Sequence, residues 1–355
     1  MNRMFMKLIV LMLAWIGIIT VGAGCGAGTP SLTIDAGADR AAFRKIIPYP
    51  KNTIETSNLE TKAREAFSMA QDKSLPEKGW WYINAHLLDR NDRRYTAMFA
   101  LFHGGQIFGS IDELDAGRHH GLYRQMALEF NPETLTLRAG DYCRLQQIKP
   151  GALVYRVTGA VDSASLDLTL TAADPPSPAD GKGEISMGLS GQSKYFYLTR
   201  LGVVGQGSID NRPVELRGTA WMDHQWGNWE RDDVDGWYWH SIHLANHVDI
   251  MIFEFFKDEK VIRSFCDLVM PDGRQVTGQP FRSQALKTWT SPRTGRVWNI
   301  AWSLSFPKQS AQLTVIPDGE DREIGKFLWE GGAFVTGKFD GAAVTGRSFF
   351  EMHRK

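Results

Sequence analysis

Cysteine is scarce. The 355 residues contain three, Cys25, Cys143 and Cys266, and no two are spaced as Cys-x-x-Cys, which removes the usual sequence basis for a zinc ribbon or a dithiol redox centre. Excess charge of either sign is also missing. Lys and Arg together number 40, as do Asp and Glu, whereas nucleic-acid binding usually leaves a clearly basic face. No nucleic-acid partner is expected. There is no Gly-x-Ser-x-Gly elbow, no Walker loop, and no Gly-x-Gly-x-x-Gly between a strand pattern and a helix pattern. Gly202-Val-Val-Gly-Gln-Gly207 has a similar glycine spacing, but in its β-rich setting it reads as a turn. Phosphate and dinucleotide groups are therefore not expected, and the reading includes no cofactor.

The N-terminus has the layout of an export signal. Arg3 and Lys7 precede an apolar run from Leu8 to Val21, followed by small residues up to Cys25. The run is short for a membrane span. Gly22-Ala-Gly-Cys25 resembles a bacterial lipobox, with Gly22 where leucine is usual; that resemblance implies an acylated Cys25 and a lipid anchor in a membrane. The alternative is an ordinary cleavage site beside a small cysteine. In both cases residues 1–24 are a leader and the mature protein lies outside the cytoplasm. There, Cys143 and Cys266 can either pair or remain as two buried thiols in their apolar contexts, Tyr142-Cys-Arg-Leu and Ser264-Phe-Cys-Asp-Leu.

Residues 25–75 read as a tether, small and polar from Gly26 to Ala38, and then a helix. Leu59, Ala63, Ala66, Phe67 and Ala70 recur at helical spacing between Asn58 and Gln71. From Gly79 onward the pattern changes to short alternating runs divided by turn residues. Trp81 to Leu88, the turn Asp89-Arg-Asn-Asp92 and Tyr95 to Phe102 form a hairpin signature. Similar runs follow at Ala152–Val157, Leu166–Thr171, Lys194–Leu201, Val214–Trp221, Trp237–Leu244, Ile250–Phe256, Ser264–Met270 and Asn299–Phe306. A dozen or so such strands predict an all-β protein of antiparallel barrels or sandwiches. Ala173 to Gly183, rich in proline, reads as an exposed loop, and His119-His120 as an exposed turn.

Tryptophan is concentrated. Five of the twelve fall between Trp221 and Trp239, with Asp223, His224, His240 and His243 among or just after them. Rigid aromatic walls around a few proton-moving groups are what an apolar pocket with a small polar centre requires. Period 2 puts Trp221, Asp223 and Gln225 on one strand face and Met222, His224 and Trp226 on the other. It likewise separates Trp237, Trp239, Ser241 and His243 from Tyr238, His240, Ile242 and Leu244. Thus Asp223 and His224 should occupy different spaces. His240 and His243 point oppositely, which argues against a metal site with His247 and Asp249.

Several segments together resemble the two-domain lipocalin-like proteins that include carotenoid 1,2-hydratases. Trp80-Trp-Tyr-Ile-Asn-Ala-His-Leu-Leu-Asp is similar to the family's early Glu-Trp-Trp-Tyr…Gly-His-Leu strand. Tyr195-Phe-Tyr-Leu-Thr-Arg-Leu-Gly is similar to its Tyr-Tyr-Ser…Arg-Leu…Gly. Gly218-Thr-Ala-Trp-Met-Asp-His-Gln-Trp resembles Gly-x-Ala-Trp-x-Asp-x-x-Trp, and Gly236-Trp-Tyr-Trp resembles Gly-Trp-Asp-Trp. Leu328-Trp-Glu-Gly and Gly346-Arg-Ser-Phe-Phe-Glu-Met match the closing Tyr-Trp-Glu-Gly…Gly-Arg-Gly-Tyr-x-Glu. The resemblance covers about residues 79 to 352. It implies two lipocalin-like antiparallel β-barrels packed side by side, 76–230 and 231–355, and a hydrophobic small molecule as substrate or ligand.

Hydrating an unactivated alkene needs an acid, a surface that stabilises the cation, and a positioned water. Asp223 is the first candidate acid, since burial can keep a carboxyl protonated. Trp221, Trp226 and Tyr238 are candidates for cation stabilisation, and His224 or His240 for handling water. Trp81, His86, Trp237 and Trp239 complete the candidate binding set, with His86 matched to the family's early histidine and expected to line the first barrel or sit in a core. Two positions depart from the family: Tyr238 replaces the aspartate of Gly-Trp-Asp-Trp, and Gly79 replaces the glutamate before Trp-Trp-Tyr. The expectation is a hydratase-like acid catalyst or, alternatively, a noncatalytic lipoprotein that carries an apolar ligand. In the bland reading the aromatics are core and Asp223 pairs with Arg217 or Arg231.

Overall fold

The computed structural model describes residues 32–48, 54, 66 and 78–355. The expected leader, the expected lipobox cysteine Cys25 and the expected Asn58–Gln71 helix lie outside these residues, except for Ala66, which is helical and buried in the first interior.

Two curled antiparallel sheets, each a half-barrel around its own apolar interior, make up nearly all of the described chain. In the first sheet, Lys78–Asp89 lies between Arg94–Phe102 and Arg212–Asn228. In the second, Gly236–Leu244 lies between Asp249–Lys257 and Ala342–Arg354. Each sheet therefore hydrogen-bonds its first strand to its last. The expected hairpin forms through Asp89, whose Oδ1 accepts from the backbone N–H groups of Asn91 and Arg93 at 2.7 and 2.9 Å. Asp92 takes the positive φ of 57° that the turn needs.

Peripheral strands alternate as period 2 demands: Ala164–Ala172 is buried at every second residue. The four first and last strands behave differently. Almost every residue of Lys78–Asp89 is buried, because one face fills the half-barrel and the other packs against the opposite sheet. Ile83, Ala85, Ala220 and Met222 fill the first interior, and Ile242, Leu244, Phe350 and Met352 the second. Between them, Trp80, Tyr82, Trp221, Trp239 and Phe349 form a third core, the seam where the convex faces of the half-barrels meet. Cys143 belongs to the first interior and Cys266 to the second, and both are buried free thiols.

A helix, α1 (Ala36–Ile46), closes one end of the seam. Asp35 caps it, accepting from the Ala38 N–H at 2.6 Å, and Arg44 and Lys45 sit in its last turn. The tether expected up to Ala38 is thus already helical from Ala36. Phe43 packs on His86 with ring centroids 5.7 Å apart. Buried Asp39 meets Arg347 and Arg94, each at 2.5 Å.

Three further expectations are corrected. Gly202–Gly207 is not a turn but part of the Gly191–Ile209 strand, and a Cβ at Gly205 would stand 2.2 Å from the Asp167 carbonyl oxygen. The glycine admits close strand approach where the sequence suggested a bend. Ala173–Gly183 is exposed only at Pro175, Gly181 and Lys182: its Ser177–Pro178 segment joins the first sheet, and Asp180 N–H bonds Asp267 of the second sheet at 2.8 Å. His119 and His120 belong to the Arg118–Gln125 strand, where His119 Nδ1 lies 2.6 Å from Asp112, because Gly117 makes the turn one step earlier.

Candidate active site

At the seam's other end, away from α1, lies a small chamber whose walls come from both sheets. Trp80, Phe102, Phe108, Trp237, Trp239 and Phe253 supply its apolar surface, and Asp223, Glu330 and Glu351 its carboxyls. Its free space of about 20 Å³ suits one water molecule. Trp80, Phe102, Trp237 and His353 also border a larger cleft of about 290 Å³, lined further by Met187, Trp229 and Val234. The chamber is therefore the inner end of an apolar approach.

Register places the acids. Asp223 faces the seam because it shares parity with Trp221 on the Arg212–Asn228 strand, and Glu351 because it shares parity with Phe349. Asp223 is 2 % exposed and Glu330 1 % exposed. Asp223 Oδ2 accepts from Tyr195 OH and from Trp221 Nε1, both at 3.2 Å, while Oδ1 has no hydrogen-bond partner. Trp239 Nε1 donates to Tyr195 OH at 2.9 Å. Tyr82 OH donates to Glu330 Oε1, and Trp237 Nε1 to Glu351 Oε1 at 2.9 Å.

Burial holds all three carboxyls above their ordinary range. Asp223 is raised well above it by burial, with the Trp221 bond opposing and Glu351 adding to the rise. Glu330 is raised well above it by burial and by Glu351, with Tyr82 opposing. Burial lifts Glu351 to about 7, against the Trp237 bond. Glu351 adds by charge to the rise of both Asp223 and Glu330. Glu351 ionises near neutrality, and its charge then keeps protons on its two neighbours. One base beside two acids is a recurrent arrangement for proton transfer.

The same shift is a statement about stability. An unfolded glutamate loses its proton near about 4.3, so the stability due to protonated Glu351 is full below that value. It is lost as pH rises through about 7. Glu351→Gln should therefore unfold at higher urea than the parent at about pH 8.5, by a few kcal/mol, and match it near about pH 4. Identical urea midpoints for the two proteins at alkaline pH would contradict a buried, proton-holding Glu351.

The candidates read from the sequence separate into several places. Asp223, Trp237 and Trp239 line the chamber, and Trp221 supports Asp223 from behind. His224 faces the other way: it is stacked between Trp81 at 3.9 Å and Trp226 at 4.2 Å, with Nδ1 3.1 Å from the Ala66 carbonyl oxygen. Burial, with His103 nearby, lowers its pKa well below the usual histidine value. Tyr238 and His240 point into the second half-barrel, against Trp302 at 5.0 and 5.7 Å, and burial lowers His240 to about 3. His86 lies not in the first barrel but in the seam near α1, 5.1 Å from Phe349 and 6.1 Å from His243. Arg217 pairs with Asp92 rather than Asp223. Among the described residues no group of three or more His, Cys, Asp or Glu has metal-holding geometry.

Glu330, Glu351, Tyr82 and Tyr195 were not singled out from sequence. Each lies inside a family-like motif, and the available signal was an acid embedded among aromatics, as in Trp329-Glu330-Gly331 and Phe349-Phe350-Glu351. Neither family acid that is absent here bears on the chamber wall. Gly79 borders the outer cleft, and a Cβ there would stand 2.6 Å from the Gln225 carbonyl oxygen and 2.7 Å from the His103 ring. Tyr238 takes hydrogen bonds from Arg354 at 3.3 Å and Asn299 at 3.5 Å.

Two half-barrels back to back, with a buried acidic chamber in the seam, define a lipocalin-like protein built from two curled antiparallel sheets. Residues 122–354 match the AttH-like family, and the chain belongs to it. Kievitone hydratase from Nectria haematococca has the same fold, with a TM-score of 0.75 at 16% identity over 87% of this chain and 98% of that one. An AttH-like protein from Nitrosomonas europaea gives 0.69 at 21% identity, over 80% and 95%. No curated protein matches the sequence significantly. Family and fold accord with the resemblance to the carotenoid 1,2-hydratase-like proteins.

Proposed function

We propose that this protein is a cofactor-independent, hydratase-like acid catalyst that acts outside the cytoplasm on an apolar isoprenoid or other lipid-like alkene. The observation that carries this reading is the convergence of three buried carboxyls, each raised above its ordinary pKa, on an aromatic chamber at the end of an apolar cleft. That a protein of the same fold is a hydratase favours hydration among acid-catalysed alkene reactions.

Asp223 is the proton donor. Its Oδ2 is occupied by two donors, so the acid proton sits on Oδ1. The alkene π pair takes that proton, forming a C–H bond and leaving an Asp223 carboxylate and a tertiary carbocation. The faces of Trp80, Trp237 and Trp239 stabilise the cation, by up to about 2 kcal/mol each when desolvated. Water adds its oxygen to the cation as ionised Glu351 takes a proton from it, and the acquired proton returns to Asp223. The net change is alkene plus water to alcohol.

The decisive assay incubates the purified protein with acyclic carotenoids and smaller isoprenoid alkenes and looks for a product heavier by one water. Tight binding with no such product would leave the second reading, a carrier of hydrophobic ligands. His224→Phe, Tyr238→Phe and His240→Phe should each reduce turnover far less than Asp223→Asn. Their side chains lie inside the half-barrels, so a loss as deep as that of Asp223→Asn would show that the chamber is not the site.

The export signal and Cys25 support a location at a membrane through an N-terminal lipid anchor. Cys25→Ser should move the protein from the membrane fraction to the soluble one, and an unchanged distribution would reject the anchor.

A further inference from the structure

We infer that Asn84 is a positioning residue for the acid proton of Glu330, acting through Tyr82 and anchored on Ser241 of the opposite sheet. The inference rests on the reading of the chamber as an acid site and adds to it a residue outside the chamber wall. Asn84 is fully buried, and its Nδ2 donates to Tyr82 OH at 3.1 Å and to Ser241 Oγ at 3.0 Å. An amide nitrogen has two hydrogens, and both are used here. Because the Tyr82 oxygen accepts one of them, its own proton is directed elsewhere, to Glu330 Oε1. A neutral carboxyl that accepts at one oxygen carries its proton on the other. The chain from Ser241 through Asn84 and Tyr82 therefore selects which Glu330 oxygen is the acid.

The donor direction carries the inference: both partners of Asn84 Nδ2 are hydroxyls, and Asn84 Oδ1 is buried without a hydrogen-bond partner. An acceptor at position 84 would draw the Tyr82 proton to itself, and Glu330 would lose its donor. The chain begins and ends on the second sheet and passes through the first: Ser241 and Glu330 come from the second, Asn84 and Tyr82 from the first. The arrangement is complete only when the half-barrels are docked. Glu351 and Asp223 are the other titratable carboxyls facing Glu330, and both act on it directly by charge. Asn84 acts on it only through Tyr82.

Infrared spectroscopy of the full-length protein without substrate tests this. The carbonyl band of protonated Glu330 is the one that disappears in Glu330→Gln. In Asn84→Leu that band should move to higher frequency, in the direction expected for Tyr82→Phe. Its titration midpoint should rise, corresponding to an acid constant about tenfold weaker, because the Tyr82 bond favours the ionised form. Ser241→Ala, the milder change, should shift the band less and in the same direction; if Asn84→Leu does not fold, Ser241→Ala decides. A Glu330 band and midpoint unmoved in these variants would overturn the inference, as would the absence of any Glu330 acid band. Since no alkene enters this measurement, missing turnover counts against the hydratase reading alone.

Discussion

Asp223→Asn is expected to lower alkene hydration by about 10²–10⁴-fold, the usual contribution of a positioned general acid. The substitution keeps shape and polarity: an asparagine oxygen can still accept from Tyr195 and Trp221. It removes only the ability to give a proton to carbon. The same variant should be more stable than the parent in alkaline solution. Burial raises the Asp223 pKa in the folded protein, so its stabilising contribution is full below the unfolded value, about 3.9, and falls as pH rises toward the folded one. An amide has no proton to lose. Rate by product mass and melting temperature at alkaline pH should thus move in opposite directions. Unchanged turnover would reject Asp223 as donor, and loss of rate together with collapse of the fold would reassign it to structure.

Asp39→Ala is expected to destabilise the protein by about 3–5 kcal/mol, the cost of breaking a buried ion pair from one side. Asp39 lies on the buried face of α1 with no exposure and bridges Arg347 and Arg94 at 2.5 Å each. Arg347 is equally buried, also pairs with Asp318, and lies 4.4 Å over the Phe43 ring. Without Asp39 the guanidinium keeps one carboxylate and loses the other, in a place water does not reach. The helix is then held to the seam mainly by Ala42, Phe43 and Ile46. Urea unfolding followed by tryptophan fluorescence measures the loss. A change below about 1 kcal/mol, typical of an exposed pair, would show that α1 is not a structural closure of the seam.

Some elements were legible because their signals are local. The Asp89–Asp92 turn, the alternating strands and the opposite facing of Asp223 and His224 follow from turn chemistry and the two-residue period of a strand. Motif order pointed to the paired half-barrels. The α1 helix was missed because residues 36–46 are half small and polar, and the helix is held mainly by burial of Phe43, Ile46 and Asp39 against distant strands. Gly205 was misread because a glycine demanded by a neighbouring strand looks the same in sequence as one demanded by a turn.

The tryptophan-rich segment by itself determined that two strands are aromatic on both faces and that Asp223 belongs with Trp221 rather than His224. Side-chain parity is a property of one strand, so it needs no partner. Which of those faces is chemically active was decided only by tertiary structure. Glu330 and Glu351 lie 107 and 128 residues beyond Asp223, yet docking of two convex sheets brings all three to one chamber. The same docking removes water from the carboxyls, and it is this loss of solvent, not their identity as acids, that raises their pKa values.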